Sequence, residues 1–154
     1  MVSTLETVLE TIIVQLKADA GVIAALPEGL GGLVPVFHAR QKVKDVYPRI
    51  TVMDVAVRGE VSGLNDAYDE TYSYEWNTAA VQIDCYSSRD STERDRVWMA
   101  AKNCLLKRLV KRAFRTVGIV FAHEPTSLNV DRLDASPPEY RKMMTYTVFW
   151  FSRA

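Results

Sequence analysis

Two runs of residues with strand periodicity, 71–86 and 141–152, constrain the fold of this chain more than any other feature of its sequence. In both runs side chains alternate in the way that is typical of a strand with one buried face. In the first run we expect a buried set and a set that faces solvent or a neighbour: Ala79, Val81, Ile83 and Cys85 against Thr78, Ala80, Gln82, Asp84 and Tyr86. The last strand also has two faces, and its sequence does not say which of them is buried: Met144, Tyr146, Val148 and Trp150 face one way, and Met143, Thr145, Thr147, Phe149 and Phe151 face the other.

Two other segments repeat apolar residues with the period of an α-helix. The first begins at a capping box, Ser3–Glu6, and Asp19–Gly21 predicts its end, because glycine tolerates a left-handed cap. The second begins at another capping box, Asp90–Glu93, and extends from Ser91 to Phe114. Its apolar stripe consists of Val97, Ala101, Cys104, Leu105, Leu109 and Ala113. A short helical turn over 22–26 and a glycine-containing connector over 29–32 lie between the first helix and the first strand.

Shorter strands are predicted at 34–37, 49–58, 116–122 and 128–133, which gives the element order α-β-β-β-α-β-β-β. This order predicts an α+β fold, in which two main helices pack on one face of a mostly antiparallel β-sheet. A length of 154 residues is that of one domain, large enough to bury a core without a metal or a disulfide. We therefore expect 1–154 to form a single domain, from which the polar and acidic residues 59–75 protrude as a loop or β-hairpin, here called the arm.

The charges of the chain cancel, with 19 basic and 19 acidic side chains. This balance disfavours a free-standing nucleic-acid-binding protein, which usually carries a basic surplus. Two cysteines form no disulfide framework, so we expect Cys85 and Cys104 to be reduced core thiols, with a bridge between them as the alternative. The N-terminus has no signal-peptide pattern and no apolar run reaches the ~18 residues of a membrane span. We expect a soluble protein that acts or is assembled inside a cell.

The zero net charge is the sum of two opposed regions. Residues 59–88 contain no lysine or arginine, and their acids are Glu60, Asp66, Asp69, Glu70, Glu75 and Asp84. Residues 102–115 contain no acid, and their bases are Lys102, Lys107, Arg108, Lys111, Arg112 and Arg115. The basic run has two interpretations: a solvated helix end favoured by the helix dipole, or a docking surface for an acidic partner, including the acidic loop of another copy.

Aromatic residues are interleaved with the acids of the arm and the strand that follows it: Tyr68, Tyr72, Tyr74 and Trp76. Because aromatic side chains are enriched where protein surfaces meet, this region is typical of an assembly arm. Ordinary packing within the sheet is the alternative interpretation for residues 72–76.

The sequence contains no recognisable catalytic, metal or cofactor motif. His38 and His123 are isolated, and Gly29–Gly32 lacks the Gly-Lys-Ser/Thr ending of a phosphate loop. A nucleophilic pair of Cys104 with His123 is conceivable, but Cys104 lies on an apolar helix stripe, where inert core thiols are found. The acids of the arm lack the spacing of an EF-hand. We therefore predict that the chain is not an enzyme and holds no cofactor or metal.

A strand entry YPRITV (Tyr47–Val52) is combined with a strand that closes in QIDCY (Gln82–Tyr86) and leads through a short polar turn into a helix. With the helical N-terminus and the Leu/Pro/Gly segment 25–36 before them, these elements resemble the tail-terminator (tail-completion, head–tail joining) proteins of long-tailed bacteriophages. The resemblance implies an α+β subunit of a hexameric ring, which sits on the tail tube, ends its polymerisation and binds the head connector. It further implies a virion protein assembled in the host cytoplasm, with no catalysis, no membrane, and a lumen through which DNA passes without specific binding.

In such a ring we expect the acids of the arm to line the lumen or the rim that faces the tube: Glu60, Asp66, Asp69, Glu70 and Glu75. We expect the contacts between subunits to come from aromatic and basic residues: Tyr68, Tyr72, Tyr74, Trp76, Lys107, Lys111 and Arg112. Three alternatives are a neck adaptor, a tail-tube subunit, and a small α+β ligand-binding or enzymatic domain.

Overall fold

The computed structural model describes residues 5–26, 34–39, 46–61, 74–121 and 126–153. The elements in these residues are α1 (Leu5–Ala18), α2 (Ala20–Ala25), β1 (Val36–His38), β2 (Arg49–Val61), β3 (Tyr74–Ser87), α3 (Ser91–Leu106), α4 (Arg108–Thr116), β4 (Ile119–Phe121), β5 (Thr126–Asn129) and β6 (Tyr140–Arg153). The predicted α+β class is confirmed. The capping box at Ser3, the glycine connector, His123 and the arm residues 62–73 lie outside the described residues.

The six strands form one mixed sheet in the order β1-β2-β3-β6-β4, and β5 also pairs with β6. Strands β4 and β5 follow each other along the same edge of β6, opposite residues 148–150 and 142–145. Strand β1 runs parallel to β2, with Val36 beside Ile50, whereas the other pairs are antiparallel. The prediction of a mostly antiparallel sheet is thus correct apart from this edge pair.

Helices α1 and α3 lie against the same face of the sheet, since α1 contacts β1 and β2 while α3 contacts β3 and β6. Helix α2 contacts both of them. The side chains predicted to point inward from β3 are all buried, and the structure identifies the buried face of β6: Ala79, Val81, Ile83 and Cys85 on β3, and Met144, Tyr146, Val148 and Trp150 on β6. They meet the buried stripe of α1, which consists of Val8, Leu9, Ile12 and Leu16. Each large apolar side chain buried in this layer contributes roughly 1.5–3 kcal/mol.

The predicted helix from Ser91 to Phe114 is divided in the structure. Its N-cap is correct, because the Asp90 carboxylate accepts a hydrogen bond from the Glu93 amide at 2.7 Å. Lys107, however, takes extended dihedral angles (φ −63°, ψ 136°), so that α3 ends at Leu106 and α4 begins at Arg108. The break changes the rotational phase of the second half, and Leu109, predicted to be buried, is 76% exposed. Val110 and Phe114 are buried in its place.

The predicted left-handed cap at Gly21 is wrong. Asp19 takes an extended conformation and serves as the N-cap of α2, its carboxylate accepting a hydrogen bond from the Val22 amide at 3.1 Å. Helix α1 does end at Ala18, as the Asp19–Gly21 segment predicts, but Gly21 lies inside α2 and forms no cap. The described glycine with positive φ is Gly118 (φ 80°), in the turn from α4 into β4, where its lack of a side chain permits that conformation.

Strand pairing continues well into the predicted arm. The ladder between β2 and β3 extends to Val61 opposite Glu75, and β6 accompanies β3 as far as Arg153 opposite Tyr74. The base of the arm is therefore three strands wide. The protrusion of residues 62–73 beyond it remains a prediction.

Candidate interaction surfaces

Helix α4 presents the basic run of the sequence on its outer side. Val110 and Phe114 fix the helix to the core, and the Phe114 ring lies 4.6 Å from the Phe121 ring between centroids. The opposite side of the helix carries the basic side chains and an exposed leucine around an open concavity of about 480 Å³: Arg108, Leu109, Lys111, Arg112 and Arg115. In this article these five residues are called the α4 surface.

The electrostatics of the α4 surface are unfavourable within one chain. Arg108 and Arg112, like Lys111 and Arg115, are like charges four positions apart, and each such pair costs about 0.2–0.5 kcal/mol. The dipole of α4 favours cations near its last turn, but Arg108 and Lys111 lie in its first turn, at the positive end. None of the four cations has a carboxylate within ion-pair distance among the described residues. The helix dipole therefore accounts for Arg115 alone.

Lys107, predicted to lie between subunits, forms an ion pair with Asp19 of the same chain. Burial by itself raises the pKa of the Asp19 carboxyl, but hydrogen bonds from the Lys107 ammonium and from the Val22 amide outweigh it and lower that pKa overall. The same hydrogen bond raises the pKa of Lys107. The pair joins the α3–α4 break to the N-terminus of α2, which gives Lys107 an intramolecular role. A contact of Lys107 with a neighbouring subunit remains a prediction.

The described acids of the arm lie at its base. Glu60 stands opposite Trp76, and Val61 stands opposite Glu75, in the last paired positions of β2 and β3. The acids and tyrosines between them, Asp66, Tyr68, Asp69, Glu70 and Tyr72, lie outside the described residues.

The arm and the C-terminal end of α4 lie at the same end of the sheet. Strand β4 leaves the α4 turn at Ile119, which pairs with Trp150. Trp150 in turn pairs with Asn77, two residues along β3 from Glu75. An acidic segment and a basic surface are therefore attached to neighbouring positions of one rigid sheet.

A polar cluster occupies the sheet face opposite α1 and α3, and the QIDCY residues form its centre. The Asp84 carboxylate accepts hydrogen bonds from Gln82 Nε2 at 2.9 Å and from Arg141 Nη2 at 2.6 Å. The Tyr86 hydroxyl lies 3.5 Å from the same carboxylate. Asp84 is 1% exposed, so the expectation that this set faces solvent or a neighbour is wrong for Gln82, Asp84 and Tyr86. They are buried because their polar groups bond to one another.

Cationic and aromatic side chains extend this cluster to the end of the sheet. The Arg49 guanidinium lies 4.1 Å from the centroid of the Tyr86 ring and 4.5 Å from that of Tyr47. The Tyr47 hydroxyl donates to Glu139 Oε2 at 3.0 Å. Burial, followed by the nearby Asp84 charge, raises the pKa of Tyr86. The hydrogen bond from Arg141 to the Asp84 carboxylate joins β3 to β6, so the cluster holds these strands in register.

Arg49 and Arg141 are functional candidates that the sequence interpretation missed as a pair. The sequence does contain a sign of this cluster. Arg49, Asp84 and Arg141 each lie on a different predicted strand, at a position that alternates with the apolar ones. Their cross-strand neighbours became visible only with the register, in which Arg49, Tyr86 and Arg141 form one row across β2, β3 and β6.

Catalytic and metal chemistry find little support in the residues that the structure describes. Among them no three His, Cys, Asp or Glu side chains gather as metal ligands would. Cys85 and Cys104 are buried free thiols, and burial raises the pKa of Cys104 to about 12, where a nucleophilic thiolate is not formed near neutral pH. A second open groove, of about 600 Å³, lies between α1 and the β1 edge, with His38 and Asp54 in its lining. The longest described helix, α3, is too short and too polar to cross a bilayer.

A comparison with solved structures finds a similar fold in a chain of the virion of a native gene transfer agent particle. The TM-score is 0.51 and the sequence identity is 14%, and the match covers 93% of this chain and 92% of that chain. No protein-family model matches the sequence, and no curated protein matches it either. At this identity the likeness shows a shared fold.

Proposed function

We propose that this chain is a structural protein of a virion of the tailed-phage type. The observation that carries the proposal is the fold likeness to a gene transfer agent virion chain, which spans 93% of this chain and 92% of the other. The match extends over nearly the whole of both chains and is not confined to one shared motif. The polar cluster around Asp84 supports the same class, because its ion pair with Arg141 joins neighbouring strands, as in a structural subunit.

Within this class we propose the role of a tail terminator, a ring of six copies that caps the tail tube, ends its polymerisation and joins it to the head connector. The YPRITV and QIDCY strands and the helix that follows support this role through their resemblance to that family. The dimensions support it as well. A compact chain of this length is equivalent to a sphere of roughly 19 Å radius, and six touching spheres leave a central hole of about the same radius, wide enough for a DNA duplex. A chain without net charge also suits a channel that must release DNA, since phosphate contacts dominate affinity.

The two charged regions have a function in such a ring. Every subunit of a closed ring contacts its two neighbours through two different surfaces, which must be complementary. The arm and the basic end of the chain are complementary in charge. In our proposal the acids at the base of the arm, Glu60 and Glu75, lie on the lumen or on the rim that faces the tube.

Mass photometry of the purified protein, alone and with the tail-tube protein encoded in the same genome, tests this function. A terminator gives one closed ring, alone or on tube ends. A tail-tube subunit gives an open polymer on its own, and a neck adaptor leaves tube growth unchanged. A monomer that does not bind tail tubes but binds a small molecule in the groove beside α1 would instead support a ligand-binding domain.

A further inference from the structure

The basic side chains of the α4 surface have no ion-pair partner among the described residues. They repel one another along the helix, and Arg108 and Lys111 stand at the end of the helix that disfavours cations. Leu109, at the border of the surface, is 76% exposed, and Leu106, at the end of α3, is 44% exposed. Exposed leucines beside unpaired cations, at a helix whose other large apolar side chains are buried, are typical of a site that is covered in an assembly.

We propose that the α4 surface is the docking site for the arm of a neighbouring copy of this chain. The inference rests on the proposed function, because it assigns the contact between two subunits of the ring. Compared with the interface predicted from the sequence, the proposal replaces Lys107 with Arg108 and Arg115. It also adds Leu109 as an apolar contact.

The composition of the arm matches the α4 surface. Residues 59–75 contain five acids, three tyrosines and no lysine or arginine. Carboxylates form charge-assisted hydrogen bonds with arginine, and a tyrosine ring can cover Leu109 while stacking on a guanidinium plane. The described chain has no other comparable concentration of exposed bases on one element, so the charge complementarity is specific to these two regions.

The position of the arm favours a neighbour as its target. Residues 62–73 follow the last paired position of β2 and β3, at one end of the sheet. The helix α4 ends at the level of Asn77 and Trp150, behind the base of the arm. Because both regions lie at one end of the sheet, a ring axis parallel to the strands sets the base of one arm and the α4 surface of the next subunit at the same height, where a lateral contact between copies can form.

Charge reversal in two separate variants tests the contact and its direction. The helix variant carries Arg108→Glu and Arg112→Glu, and the arm variant carries Asp66→Lys and Asp69→Lys. A glutamate at position 108 suits the first turn of α4, so the helix variant retains its fold. Mass photometry across a concentration series should show association of each variant weakened on the order of a hundredfold, because like charges then face each other. An equimolar mixture should restore association, since alternating copies pair each reversed arm with a reversed helix.

A third variant separates specific docking from general attraction between oppositely charged proteins. Arg89→Glu with Arg96→Glu makes the same change of charge at two exposed positions near and on α3. This variant should associate like the wild type, and mixing it with the arm variant should restore nothing. Circular dichroism confirms that each variant is folded before the association is measured.

Three results would overturn the inference: a helix variant that associates like the wild type, a mixture without recovery, or a wild-type chain that is monomeric at every concentration. A fourth variant carries both charge reversals in one chain. If association recovers in this variant but not in the mixture, the arm docks on the α4 surface of its own copy. A wild-type chain that caps tubes without self-association refutes this inference and leaves the proposed function standing. A chain that neither caps tubes nor associates refutes both.

Discussion

Removing the Asp84 carboxylate should destabilise the fold strongly although the residue lies on the helix-free face of the sheet. Asp84 is 1% exposed, and its carboxylate bonds to Arg141, whose side chain is 22% exposed, at 2.6 Å. It also accepts the Gln82 amide at 2.9 Å. The substitution Asp84→Ala leaves a buried amide and a mostly buried guanidinium without their acceptor.

The size of the effect follows from this geometry. Breaking a fully buried ion pair by removing one partner costs about 3–5 kcal/mol. Because the Arg141 side chain keeps access to water, we expect about 2–4 kcal/mol for Asp84→Ala. The double variant Asp84→Ala/Arg141→Ala should cost at least about 1 kcal/mol less than the sum of the single variants, since both single variants already remove the ion pair between the two residues.

Urea unfolding followed by far-UV circular dichroism measures these free energies of unfolding. The protein concentration is kept low enough that further dilution does not change the urea midpoint. Asp95→Ala is the matched control, because this carboxylate also bonds to an arginine, Arg94, at 3.1 Å but is 50% exposed. Arg94 is buried but keeps Asp131 at 2.7 Å as a partner when Asp95 is removed, so we expect Asp95→Ala to cost at most about 1 kcal/mol. If Asp84→Ala costs no more than Asp95→Ala and shows no coupling to Arg141, the polar cluster does not hold the sheet together and our interpretation of it is wrong.

Three further predictions test other parts of the structure. The ion pair of Asp19 with Lys107 stabilises the fold above about pH 4, and this stabilisation is lost as the pH falls through the lowered pKa of the Asp19 carboxyl. The variant Lys107→Met should therefore begin to unfold in acid at a higher pH than the wild type. Identical acid transitions of the two proteins would contradict the pairing. Cys104 should resist thiol reagents at pH 8 in the native protein and react fully in urea, because burial raises its pKa to about 12; fast native labelling would show that the site opens. Phe114→Ala should cost about 3–5 kcal/mol in urea unfolding, whereas Leu109→Ala should change stability by less than about 0.5 kcal/mol and weaken only association; equal costs would place Leu109 in the core.

The sequence predicts the layers of this fold well because burial dominates them. The alternation along β3 predicts that Val81 and Ile83 are buried, and the structure confirms it. On β6 the alternation only separates the two faces, and the structure identifies the face of Val148 as the buried one. The N-cap at Asp90 was equally predictable, since its hydrogen bond to Glu93 spans three residues. Interactions of this kind are local or follow a period that the sequence carries.

The features that sequence reasoning missed depend on distant partners. The helix breaks at Lys107, whose side chain bonds to Asp19, 88 residues away in the chain. The carboxylate of Asp84 was assigned to an exposed or intermolecular face because its partner Arg141 is 57 residues away. A buried polar residue and an exposed one share the same outward position in a strand pattern, and only the register between strands distinguishes them.

The candidate site combines both kinds of information. The sequence reveals that residues 59–75 are acidic and residues 102–115 are basic. It does not reveal that Lys107 is paired within the chain or that Leu109 is exposed, because both follow from the break between α3 and α4. The proposed interface therefore contains other residues than the sequence predicts, but it is still basic.

Tube growth in the presence of this chain is the most direct test of the central claim. The tail-tube protein encoded in the same genome is polymerised with increasing, substoichiometric amounts of the purified chain, and tube lengths are measured by electron microscopy. We predict that the mean length falls as the amount rises, and that extra density appears at tube ends only, because one ring stops each growing tube. Tubes of unchanged length, or tubes that incorporate the chain along their whole length, would contradict a terminator.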